Sequence, residues 1–156
     1  MTEGEKARFV AWSAELRAVH ERLRAALRVT RESLDHAERA VPAARDLLLY
    51  CHGFCVALTG HHEAEDRELF PAIAAAHPDL RDTLRMLEQD HSMMSHLIAG
   101  LVDAVKHAAP PDELERHVEG ISAIMESHFR FEERRLLTVL DALALDADPE
   151  SVLGPF

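Results

Sequence analysis

Apolar residues recur at spacings of three and four along four successive stretches of this chain, and each stretch is long enough for several turns of amphipathic helix. The first runs from about Gly4 to about Thr30 with Leu16, Val19, Leu23 and Leu27 in one stripe. Arg31 to Val41 is polar and suits a connection, partly helical, ahead of Pro42, a residue favoured in a helix's first turn. The second runs from about Pro42 to about Ala75 with Leu47, Tyr50, Phe54, Leu58 and Leu69 on one face. Pro71 threatens its last turn, and Pro78 is the firmer stop, with Asp79 as a candidate cap for the next helix. The third spans about Leu80 to about Ala108 through Leu84, Leu87, Met94, Ile98, Leu101 and Val105, and Pro110 and Pro111 end it. The fourth runs from Asp112 to about Leu145 through Leu114, Val118, Ile121, Met125, Leu136 and Val139. Asp146 to Phe156 reads as an irregular tail.

Four long helices with mostly short connections pack most simply as an all-α, antiparallel up-down-up-down four-helix bundle, whose ligand sites form between facing side chains. At 156 residues one domain is expected, with the bundle core over about residues 12–142. Only 5% of residues are aromatic while 47% are apolar, which favours helices rich in Ala and Leu. Seventeen basic against 28 acidic residues give a net charge of -11, which repels phosphate backbones and anionic lipid, so neither nucleic acid nor membrane is expected as a partner. With no apolar run near the ~20 residues of a membrane span, and no basic-then-apolar leader in MTEGEKARF, a cytoplasmic protein is expected. Cys51 and Cys55, four apart in a helix, read as reduced core thiols.

Eleven histidines are many for a chain of this length, and their positions carry the chemistry. In HHEAEDRELFP, His61 and Glu65 are four apart and leave one helix face a turn from each other. HFRFEERRLL repeats this with His128 and Glu132, and the two segments align without a gap, pairing Asp66 with Glu133 and Leu69 with Leu136. Both pairs lie on the apolar stripe of their helix, where an ionised carboxylate costs several kcal/mol unless paired or bound to metal. No Lys or Arg shares those stripes near them, so a cation is the natural partner. His20 among Leu16, Leu23 and Leu27, and His91 among Leu87, Met94 and Ile98, interrupt the other two stripes in the same way. Four imidazoles and two carboxylates can hold two ions, the carboxylates bridging, and this mixed N/O set suits iron or manganese over thiolate-preferring metals.

The order His20, His61 with Glu65, His91, His128 with Glu132 resembles the hemerythrin or HHE cation-binding family over about residues 12–142. The resemblance implies a four-helix bundle around a non-haem di-iron centre with these six residues as ligands. His62 is read as a surface histidine or one beside a ligand, with a seventh ligand as the other reading. Asp66 and Glu133 are read as outward-facing or supporting acids rather than bridging ligands. Oxygen-carrying hemerythrins place a further histidine one turn after the third-helix ligand, where this chain has Ser95, with His96 one residue too late. A vacant or water-filled position there favours reaction with oxygen, peroxide or nitric oxide over reversible oxygen carriage. The expected function is therefore a di-iron protein that binds or reduces a small oxidant. The alternatives are an iron- or oxygen-responsive sensor without turnover and a di-iron oxygenase acting on an organic substrate. His36, His52, His77, His107 and His117 read as ordinary residues, and Tyr50, Met93 and Met94 as packing.

Overall fold

The computed structural model describes residues 10–37 and 44–154, and the side chains of residues 35–37 and 44–51 are not described. The expected helix starts at Gly4 and Pro42, and the packing of His36, Leu47, Tyr50 and Cys51, therefore lie outside the described residues. The described residues are mostly helical and contain no strand: α1 (Trp12–Ala37), α2 (Ala44–Ala64), a π-helical turn (Glu65–Leu69), α3 (Phe70–Ala76), a 3-10 turn (Pro78–Leu80), α4 (Arg81–Lys106), α5 (Pro111–Asp141) and α6 (Pro149–Leu153). α1 packs against α2 and α5, and α4 packs against α5 and α2.

Helix α1 begins at Trp12, and residues 10 and 11 are not helical. It also runs to Ala37, past the expected end at Thr30, because Thr30, Ser33 and Leu34 continue the buried face. The hydroxyl of Thr30 donates to the carbonyl of Ala26 and needs no water there. Leu16, Leu23 and Leu27 on α1, Phe54 and Leu58 on α2, Leu87 and Met94 on α4, and Ile121, Met125 and Leu136 on α5 are all buried. Fully burying such a side chain contributes roughly 2 kcal/mol, so this shared core holds the helices together.

Pro71 does not end the second helix. Proline cannot donate to a carbonyl one turn back and its ring crowds that carbonyl, so the ladder must loosen upstream. It does so in the π turn, where the Phe70 N–H reaches the carbonyl of Glu65, five residues back. The extra residue in the turn lets Glu65, Leu69, Phe70 and Ile73 all face inward. Asp79 is not a cap: it lies within the 3-10 turn, whose N-cap His77 makes no side-chain capping bond.

The tail is not irregular throughout. Asp148 caps α6 by accepting from the Glu150 N–H at 3.2 Å. Val152 and Leu153 enter the core, and α6 packs on α1, α2 and the π turn. Just ahead of the tail, the Trp12 indole N–H donates to the Leu145 carbonyl at 3.0 Å.

Candidate metal centre

Seven polar side chains converge in the middle of the helices: His20 from α1, His61 and His62 from α2, Glu65 from the π turn, His91 from α4, and His128 and Glu132 from α5. None is more than 5% exposed. They form two groups whose potential donor atoms lie within 4.8 Å of one another, one of His20, His61 and Glu132, the other of His62, Glu65, His91 and His128.

The two glutamates tie the groups together. Glu65 Oε1 lies 3.0 Å from Nε2 of His61 in the first group and 3.6 Å from Nε2 of His91 in the second. Glu132 Oε1 lies 3.4 Å from Nε2 of His20, and its Oε2 lies 3.0 Å from Nε2 of His128. Each carboxylate thus faces a histidine of both groups.

Four of the imidazoles are held from behind. Nδ1–H of His20 donates to Glu133 at 3.0 Å, that of His91 to Asp66 at 2.7 Å, and that of His128 to Asp90 at 3.0 Å. Nδ1–H of His61 donates to the backbone carbonyl of Leu153 at 2.7 Å. With the proton fixed on Nδ1, each Nε2 turns a lone pair inward, the usual arrangement behind a metal-ligating histidine. Aromatic neighbours fix the ring planes: Phe129 stacks on His20 with centroids 3.8 Å apart, and His62 stacks on His91 with centroids 3.9 Å apart.

This arrangement is unfavourable without a positive charge inside it. Nε2 of His91 and Nε2 of His128 face each other at 3.1 Å, lone pair against lone pair in the Nδ1–H tautomers. Nε2 of His20 and of His62, and all four carboxylate oxygens of Glu65 and Glu132, are buried without a hydrogen bond. Buried polar atoms are normally satisfied, so a cluster of orphans converging on one place fits cations better than a protein-only polar core. Protons take the cations' place in the metal-free chain. Burial and the neighbouring Glu132 hold the Glu65 carboxyl well above its ordinary range. For Glu132 burial acts upward, but contacts with Glu65, His128 and His20 outweigh it and bring the carboxyl well below that range. Burial likewise acts downward on His20 and His128, and their carboxylate partners overcome it to raise both. His61, buried and beside other imidazoles, is lowered to about 3 and stays neutral.

The structure brings together all six residues that the sequence singled out and adds His62. That histidine is buried rather than at the surface, and its ring occupies the space against His91. Ser95 and His96 are both exposed. His61 and His62 are consecutive, so they diverge around the helix and serve different groups. Asp66 and Glu133, matched in the internal repeat, play equivalent parts, since each immediately follows the inward glutamate and accepts from a histidine on another helix. Asp90 and Leu153 leave no signal in the spacing of the motifs. Asp90 sits beside His91 in sequence but serves His128, and a backbone carbonyl leaves no mark in the residue pattern.

On one side the second group borders a half-open cleft of about 310 Å³ lined by Thr59, His62, Glu63, Asp66, His91, Ser92, Ser95 and Ile98. Among the described residues no helix is long and apolar enough to cross a membrane.

The helices and their converging imidazoles and carboxylates define an all-helical protein with clusters of metal-ligand type. A family model described as the hemerythrin HHE cation binding domain matches residues 13–140, and the chain belongs to that family. Comparison with curated proteins and with solved structures gave no match.

Proposed function

We propose that the chain forms one antiparallel up-down-up-down hemerythrin-like domain holding two iron ions, and that it binds or reduces a small oxidant such as oxygen, peroxide or nitric oxide. The observation that carries this reading is the sharing of Glu65 and Glu132, each of which faces a histidine of both groups. Two separate mononuclear sites would not need that sharing. One ion would be held by His20, His61 and Glu132, the other by His62, His91, His128 and Glu65, with the glutamates joining them. Hard oxygen donors mixed with imidazoles suit iron, and manganese is the alternative. When bound, the iron pair supplies electrons and Lewis acidity toward the oxidant.

The protein's own residues hold, orient and shield. Glu133, Asp66, Asp90 and the Leu153 carbonyl keep protons on Nδ1 of the four histidines, leaving Nε2 for the ions. Phe129, Phe70, Leu58 and Met125 are buried in the surrounding core and limit water. The cleft at His62 and His91 offers the short way in from solvent, with Ser92 and Ser95 on its wall. Its polar lining favours a diatomic molecule or peroxide over a large organic substrate, since pockets for the latter are lined mostly by apolar and aromatic side chains.

Iron content and the ultraviolet-visible spectrum, read before and after reduction and again in air, test this reading. About two irons per chain, with oxo-to-iron bands that bleach on reduction and return in air, are the expected result. Protein from iron-supplemented cells that carries no transition metal, and whose fold ignores chelator, overturns it.

A further inference from the structure

The first group differs from the second in what stands behind it. Three of the four oriented histidines lean on carboxylates of the long helices or the π turn, whereas His61 leans on the carbonyl of Leu153, 92 residues away at the end of α6. A helix leaves its last carbonyls without intrahelical partners, and α6 offers one of these to His61. The two backbones also meet unusually closely. Gly154 has φ +99°, and a Cβ built there would stand 3.0 Å from Cα and N of His61 and 3.1 Å from the carbonyl carbon of Gly60. Glycine is thus required at position 154 both for its backbone conformation and for the contact. Val152 and Leu153 hold the tail down in the core.

We propose that the C-terminal segment from Asp148 to Gly154 is a positioning clamp for His61, so that filling the first group with metal depends on the tail being docked while filling the second does not. The proposal rests on the two-ion reading above. Docked, the Leu153 carbonyl fixes the Nδ1–H tautomer and the ring plane of His61, and Nε2 points at Glu132 and Glu65. Undocked, the Nδ1–H loses the Leu153 carbonyl that sets its tautomer, and one ion loses a donor oriented from behind. α6 also packs on the π turn that carries Glu65, but the second group's oriented histidines make no hydrogen bond to the described residues of the tail: Asp66 and Asp90 orient His91 and His128 from the π turn and from α4.

Anaerobic titration of the metal-free protein with cobalt(II), followed by its visible d–d bands and by calorimetry, tests the clamp in three full-length proteins. Wild type takes up two equivalents. Gly154→Ala forces the tail away from His61, and Val152→Asp places an unpaired charge under α6. In both, one equivalent keeps its wild-type affinity and the other weakens by about 10- to 100-fold, the usual consequence of losing a partner behind a ligand. In the metal-free proteins, the slowly exchanging imidazole N–H resonance of His61 seen in wild type is lost from both variants. Two equivalents with unchanged affinities in both variants overturn the clamp. Equal weakening of both equivalents in Gly154→Ala with full helical content also overturns it, by making the tail a general brace. A wild type that takes up no cobalt instead overturns the two-ion reading itself.

Discussion

The two halves of the centre are built from the same donor types but set into different surroundings. His20, His61 and Glu132 lie behind Phe129 and the docked tail, with one orienting partner being a neutral backbone carbonyl. His62, Glu65, His91 and His128 lie beside the cleft, and their orienting partners are the carboxylates of Asp66 and Asp90, whose side chains are each 39% exposed. A carboxylate behind an imidazole raises its basicity more than a carbonyl does. Shielding thus belongs to one half, and access to the other. Exchange of small molecules is expected on the cleft side.

The largest expected effect comes from removing what the halves share. Glu65→Gln withdraws a negative carboxylate that faces both groups, and uptake of both ions is expected to fail in a metal titration. The metal-free fold, in which this carboxyl already holds its proton, stays within about 1 kcal/mol of wild type by urea unfolding. Loss of only one ion would mean that the groups are independent.

Metal removal separates the halves in time. Under a soluble chelator the cleft-side ion is expected to leave first, giving two phases in stopped-flow absorbance, and a His62→Ala variant speeds only the fast phase. Each ion lost also lowers thermal stability, by about 2.7 kcal/mol where it had been present at 100 times its dissociation constant. A single phase unaffected by His62→Ala would erase the distinction between a sealed and an open half.

Smaller still is the effect of the supporting acids. Asp66→Asn should weaken the cleft-side ion by about 10-fold and leave the other unchanged, while Glu133→Gln does the reverse. Calorimetric titration of the two variants shows whether each acid acts through its own histidine.

The repeat that pairs these acids was legible in the sequence, as were the four apolar stripes and the inward His20, His61 with Glu65, His91 and His128 with Glu132, because helical periodicity of 3.6 residues carries that information. What was not legible has physical reasons. His62 lies four residues after the buried Leu58 but directly beside His61, and spacing does not tell which of two adjacent histidines at the edge of a stripe turns fully inward. Helix α6 is five residues long, too short for a stripe to show, and its part in the centre is played by a main-chain oxygen. Asp90 reaches across to α5 rather than along its own helix, a contact made by packing and not by spacing.

The smallest effect lies on the rim of the sealed half. Arg24 pairs with Glu126 at 3.0 Å and stands over Phe129, 5.4 Å from the ring centroid. Arg24→Ala should cost at most about 1 kcal/mol at neutral pH, since solvent screens such pairs. The hydrogen bond from Arg24 holds the Glu126 carboxyl below its ordinary value. The stability it adds is therefore present above the ordinary carboxylate pKa and is lost as pH falls through the folded-state value. Urea unfolding of wild type and variant should differ at about pH 7 and converge at about pH 3.

The central claim is that two ions sit in two groups joined by Glu65 and Glu132. Anomalous diffraction at the iron edge from crystals of the iron-loaded protein tests it most directly. The account predicts two peaks, one among His20, His61 and Glu132 and one among His62, Glu65, His91 and His128. A single peak, or iron bound away from these side chains, would contradict it.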